Sequence, residues 1–268
     1  MTATDFPALP GEYEPTRATL HAYAHAVGSV PRAHGIAHPR WWHISLKVRP
    51  EGLVTDAVPL PDGGALGLRM DLSAHEIVVR VSDGREDRLD MRAGATGTEM
   101  AGRIHAIVAE HGLAGGYDRA RFENDDPRDY DPSAAAAHFD AFTKAHTVLE
   151  RHRVTLGSRV GPNQVWPHGF DLAFEWFGTR TIESKGETAT AQLNLGFYPA
   201  GDRYFYSAPW PFDPAFASAP LPHGALWNTD WNGAVLPYAA IQGQPDGPAR
   251  VADFDRAVFD LAAPTLGA

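Results

Sequence analysis

ALGLRMDLSAHEIVVRVSDGREDRLDM, residues 65–91, alternates apolar and polar side chains in short runs divided by turn residues. Leu66, Leu68, Met70 and Leu72 point one way, Ile77, Val79 and Val81 repeat the pattern, and a polar return strand ends at Leu89 and Met91. A period of two marks strands that bury one face. Asp83-Gly84 lies between two of these runs and reads as a two-residue type I′ hairpin turn, with Gly84 supplying positive φ at no steric cost. Turns this short join only antiparallel strands, so a doubly wound parallel sheet is excluded.

Upstream, Pro61-Asp62-Gly63-Gly64 is a second turn. Trp42, Ile44, Leu46 and Val48 alternate with Trp41, His43, Ser45 and Lys47, which predicts an opening strand. Before it, Leu20, Tyr23, Ala24 and Val27 share one face of a helix over 16–27 that Gly28 ends, and the first dozen residues, with Pro7 and Pro10, read as a loose arm. Downstream, Thr96 and Glu99 have capping-box spacing for a helix over 97–111, in which Met100, Ile104, Ile107 and Val108 form a stripe and Gly112 the stop. That helix covers the apolar face of the meander.

The order then recurs. Residues 114–131 have no period and many acids, and read as a linker. Asp131 and Pro132 open a helix to about residue 156. Phe170, Leu172, Phe174 and Trp176 alternate, as do Ala191, Leu193, Leu195 and Phe197. Tyr204–Tyr206 makes a third strand, Asn232-Gly233 is a hairpin turn, and a helix over 249–262 closes the chain. The expected fold is α+β: two similar halves, each an antiparallel β-meander covered by helices. The halves are 1–113 and 132–268, joined by 114–131, or together one compact domain; internal duplication and chance likeness both fit.

Composition narrows function. With 23 basic and 33 acidic residues the formal charge is −10, which opposes nucleic acid and anionic membrane surfaces as partners. No cysteine is present, so disulfides, thiolate catalysis and cysteine-held metals are excluded. No leader or membrane-spanning run is seen, so a soluble cytoplasmic protein is expected. The chain contains no GxGxxG, GxxxxGK[ST] or GxSxG, and His75-Glu76 starts an HExxH pattern that Val79 breaks. The thirteen histidines show no carboxylate at ligand spacing, so no metal and no cofactor are expected.

The stretch Trp166-Pro167-His168-Gly169-Phe170-Asp171-Leu172, then NLGFYPAGDRYFYSAPWP at 194–211 and Trp227-Asn228 with Gly233-Ala-Val-Leu-Pro237, resembles an uncharacterised bacterial family described only as a domain of unknown function. Trp41-Trp42-His43-Ile44-Ser45-Leu46 also looks like that family's opening strand, so the resemblance covers about residues 10–262. It implies no activity, cofactor or catalytic residue.

The residues themselves point to a site in the second half. In phase with Phe170 and Leu172, His168 is expected on the apolar side of its strand, where burial would shift its pKa toward acid–base work. Trp166, Asp171, Tyr198, Tyr204, Tyr206, Trp227 and Asn228 are the expected ligand-binding residues, since aromatics with polar tips need hydrogen-bond partners and often line clefts. A small organic molecule bound in this aromatic-lined pocket is the first reading. A cofactor-independent enzyme using His168 is the second, and a structural or oligomeric partner protein the third. The bland alternative for His168 is a core histidine bonded to a backbone carbonyl.

Overall fold

Four long helices and twelve strands make up the computed structural model, which describes residues 5–11, 13–184 and 186–268. The described residues divide into two compact units, one of residues 9–140 and 164–170, the other of 5–8, 141–163 and 171–268. The architecture is α+β with two antiparallel sheets.

In the unit of residues 9–140 and 164–170, α1 is Tyr13–His34 and α2 is Gly97–Glu110. The strands are β1 (Lys47–Arg49), β2 (Gly52–Val54), β3 (Val58–Pro59), β4 (Ala65–Asp71), β5 (Glu76–Val81) and β6 (Glu86–Asp90). They run in the order β1-β2-β4-β5-β6, with β3 also on β4. Leu66 pairs with Val81, Leu68 with Val79 and Met70 with Ile77, all buried, as the alternation requires. Leu20, Tyr23 and Val27 of α1 and Met100, Ile104 and Val108 of α2 are fully buried over this unit's core. Each such side chain stabilises by about 1.5–3 kcal/mol when taken out of water. The capping box of α2 forms in both directions.

Several expectations are corrected here. α1 runs past Gly28 to His34, and the glycine marks a close approach and not a stop: a Cβ there would meet Pro167 Cγ at 3.0 Å. Trp42–Ile44 is a turn of 3-10 helix after Trp41 at φ 60, so the opening strand starts only at Lys47. The 83–84 turn is not type I′. Gly84 alone has positive φ (98), and Gly84 N–H to Val81 O with Val81 N–H to Arg85 O gives a three-residue loop with a glycine bulge. Residues 114–131 are not a free linker. Thr98 and Asn124 bond reciprocally, Thr19 Oγ1 donates to Asp129 O, and Asp131 N–H donates to Thr16 Oγ1.

The second unit holds α4 (Gly247–Leu266) and, from Ala141, the later part of α3 (Pro132–Arg153). Its strands are β8 (Asp171–Ser184), β9 (Glu187–Tyr198), β10 (Tyr204–Trp210), β11 (Leu226–Asn228) and β12 (Gly233–Pro237), the label β7 being kept for Gln164–Trp166 of the other unit. Within this unit they run in the order β11-β12-β10-β9-β8. The two sheets share antiparallel pairing but not strand order. One face is apolar: Leu172, Phe174 and Trp176 of β8, Leu193, Leu195 and Phe197 of β9, and Phe205 of β10 are buried. Phe197 stacks on Phe205 at 4.9 Å, Phe142 of α3 meets Phe197 edge-on, and Phe259 of α4 meets Trp176. The expected loose arm is tied down where it is described. Phe6 is fully buried against Phe205 and Tyr238, and Tyr238 donates its hydroxyl to Pro7 O. Residues 1–4 and 12 of that arm lie outside the described residues. No described helix is long and apolar enough to cross a membrane.

Candidate functional site

The face of the second sheet turned away from α4 carries the chemistry. Strand alternation puts Ala173 and Glu175 of β8, Asn194, Gly196 and Tyr198 of β9, and Tyr204, Tyr206 and Ala208 of β10 on that side. Register aligns Ala173, Gly196 and Tyr206 across three strands, and Glu175, Asn194 and Ala208 beside them. Gly196 has no side chain, so the Tyr206 ring lies down over it and its hydroxyl reaches β8, donating to Asp171 Oδ2 at 2.5 Å. Trp231 uses a second glycine in the same way: a Cβ on Gly233 would fall 1.9 Å from the indole Cζ3.

The result is a cleft of about 330 Å³ lined by Asp171, Tyr198, Tyr204, Tyr206, Ala208 and Trp231. Tyr204, Tyr206 and Trp231 form three walls. Their ring centres lie 6.3 Å (Tyr204–Tyr206), 6.3 Å (Tyr204–Trp231) and 6.4 Å (Tyr206–Trp231) apart. Burial, then the Asp171 charge and hydrogen bond, push the Tyr206 hydroxyl well above its usual range. Burial also raises Tyr204, helped by Tyr198 and Asp171. Both hydroxyls therefore stay protonated near neutral pH and act as donors, not bases. The charges that bear on them are carboxylates, Asp171 on both and Glu175 on Tyr206.

Four of the expected ligand-binding residues, Asp171, Tyr198, Tyr204 and Tyr206, thus line one cleft. The others do not. Trp227 pairs with Ala234 and so faces the opposite side of the sheet, where it stacks on Phe216 at 5.5 Å and donates its indole N–H to Ala219 O. Asn228 shapes the turn before Trp231 by accepting the Asp230 N–H. Trp166 ends β7 in the other unit.

His168 is a correction. It is exposed in a turn, not buried in an apolar strand face. Pro167 and Gly169 flank it, Phe170 takes φ 51 and returns its N–H to Trp166 O, and the strand begins only at Asp171. Trp231, absent from the expected binding set, stands two residues before Gly233, whose missing side chain makes room for the indole.

A larger hollow of about 690 Å³ lies between the end of α3 and the start of α4. Its rim mixes Arg151 and Arg256 with Asp246 and Asp260, and Asp246 is engaged by Arg250 at 3.0 Å. His152 on its wall is held neutral, its pKa lowered to about 4 chiefly by burial. The aromatic cleft differs in gathering rings and tyrosine hydroxyls beside the Asp171 carboxylate. Among the described residues, no group of three or more His, Asp or Glu is placed to hold a metal ion.

Residues 6–267 match the model of a family of unknown function, DUF5996. The chain belongs to that family. No curated protein and no solved structure matches this DUF5996 member. Membership assigns no reaction, so the site's own geometry has to carry the functional argument.

Proposed function

We propose that the protein binds a small organic molecule in the cleft of Asp171, Tyr198, Tyr204, Tyr206 and Trp231. One observation carries this reading: at Gly196 and Gly233 the absence of a side chain lets an aromatic ring lie along the sheet, and the rings then bound a recess about 330 Å³ in volume. Glycine inside a strand weakens it and commonly marks close approach by another group. The volume is at the small end of ligand pockets, which begin at about 300 Å³. Protonated Tyr204 and Tyr206 supply donors, Asp171 supplies an acceptor, and the rings supply apolar area.

The test is a small-molecule fragment screen read by thermal shift and by tryptophan fluorescence, repeated on Tyr204→Leu and Trp231→Leu. Trp231 is 38% exposed and Tyr204 half-buried, so both variants should keep the fold. Binders that lose at least tenfold in affinity in both variants support the cleft. Binders unaffected by either variant would remove it. An enzyme working through His168 draws no support, because that histidine is exposed in a turn instead of standing on the buried strand face which that reading needs.

A further inference from the structure

We propose that the hollow between α3 and α4 is a second binding site, separate from the aromatic cleft, and that it takes an amphipathic monocarboxylic acid, with its apolar body between the helices and its carboxylate on Arg151 and Arg256. The walls come first. Val148, Arg151 and His152 share one face of α3, and Thr155 and Leu156 carry that lining on through the 3-10 turn after the helix. α4 faces them with Ala249, Ala252, Arg256 and Phe259. Two of these are alanines, whose single methyl groups leave space open between the helices. The hollow measures about 690 Å³, about twice the volume of the aromatic cleft. Val148, Leu156, Ala249, Ala252 and Phe259 give it a largely apolar lining, which suits a hydrocarbon or aryl body.

The polar groups then set the class of ligand. His152 lines the hollow, is only 9% exposed, and its buried Nε2 has no hydrogen-bond partner. Contacts with Phe174 and Phe259, at ring-centre distances of 6.5 and 6.0 Å, hold the imidazole in place. Buried polar groups without a partner are rare in folded proteins, so this one points to a group that the chain itself does not supply. Charge decides the sign of that group. Among the described residues Arg151 makes no ion pair and Arg256 reaches only Asp253, at 3.9 Å, whereas Asp246 is engaged by Arg250 at 3.0 Å. Two open guanidinium groups therefore stand on the rim against one open carboxylate, Asp260. Arg256 and Asp260 both act on His152, and Arg256 acts the more strongly. The surplus is one positive charge, which matches a carboxylate better than a phosphate carrying nearly two. Arginine engages a carboxylate through paired N–H donors, and a neutral imidazole adds one more. A neutral alcohol would gain the walls and leave the guanidinium groups unused. An alkylammonium would be repelled by them.

The test titrates the full chain calorimetrically with octanoate, octan-1-ol and octylammonium. Octanoate should bind saturably and at least tenfold tighter than the alcohol, and octylammonium more weakly than either. Arg151 and Arg256 are exposed, so Arg151→Met and Arg256→Met should keep the fold; each should weaken octanoate at least fivefold and leave the alcohol within twofold. His152→Phe keeps a ring against Phe174 and Phe259 while removing the nitrogens; it should weaken octanoate at least threefold with a melting midpoint no lower than wild type. Ala252→Leu fills the hollow and should remove binding of both octanoate and the alcohol, whereas Trp231→Leu, in the aromatic cleft, should change neither. If Ala252→Leu does not fold, the two exposed arginine variants still decide. The proposal is overturned if octanoate does not saturate, if it binds no tighter than the alcohol, or if neither arginine variant weakens it. Octanoate binding lost in Trp231→Leu but kept in Ala252→Leu would also overturn it, by moving the acid into the cleft. Failure in the hollow leaves the cleft to its own fragment screen, since the two sites share no residue.

Discussion

Gly196 and Tyr206 are cross-strand partners, and the glycine is the surface on which the tyrosine ring rests. A Cβ at 196 would lie 2.8 Å from the ring's Cε1 and 2.6 Å from the Leu172 carbonyl oxygen. The ring could swing away; the backbone oxygen cannot. Gly196→Ala should therefore cost about 1–3 kcal/mol of stability, as overpacked sites do. It should also break the Tyr206–Asp171 bond and remove binding in the cleft. Chemical denaturation checks the first effect and titration the second; an alanine variant with wild-type stability would contradict the close approach.

Asp255 is fully buried on α4, and neither carboxylate oxygen has a hydrogen-bond partner. Burial raises its pKa well above the usual carboxylate range. An acid raised in the folded state stabilises below its unfolded pKa of about 3.9 and loses that contribution as pH rises toward the folded value. Asp255→Asn has no such dependence. Its unfolding free energy should exceed wild type at pH 7, with the gap narrowing toward pH 4 by up to about 1.4 kcal/mol per pH unit. A gap that stays constant across this range would mean that Asp255 is not held protonated by the fold.

The histidines act in the opposite sense. Burial lowers His138 to about 3 and His25, His105 and His152 to about 4. In the unfolded chain these rings take up protons below about pH 6.5, which the folded protein refuses until far lower pH. Stability should fall steadily from about pH 6.5 toward pH 4, with net proton uptake on unfolding above one at about pH 5. Calorimetry in buffers of different ionisation enthalpy measures that uptake. A melting midpoint independent of pH between about 7 and 5 would refute the burial of these rings.

Gly84 sits at φ 98 with open space where a Cβ would go, so the cost of replacing it is conformational alone. Gly84→Val should destabilise by about 1–2 kcal/mol, since a β-branched residue rarely adopts positive φ. The denaturation midpoint reports it. No change would mean the loop rearranges freely around residue 84.

Where one face of a strand is buried, the sequence carries the pattern directly. β4, β5 and β9 follow from alternating Leu, Val and Phe, and α2 from Thr96 and Glu99 at cap spacing. The same rule put Tyr204 and Tyr206 on one face of β10. It failed at His168, where a period of two was carried backward from Leu172 through Phe170, although Phe170 takes a left-handed conformation that ends the alternation. Trp227 was misplaced for a different reason. Alternation says which residues share a strand face, but the pairing of Trp227 with Ala234 decides which face that is, and register is a long-range property. Residues 114–131 looked like a linker because their order comes from hydrogen bonds to α1 and α2, which leave no periodic trace.

The two compact units are interleaved along the chain. Phe6 belongs to the unit completed only by residues 171–268, whereas the unit of 9–140 and 164–170 has all its residues once Phe170 has been made. During synthesis the last residue of that unit is therefore in place in the chain while the β-bridge partner of Phe6, Gln242, is still seventy-two residues away from being translated. The segment at residues 5–8 waits through that interval with its buried phenylalanine unburied. The burial of Phe6 against Phe205 and Tyr238 therefore waits for residues made after the other unit's sequence is complete.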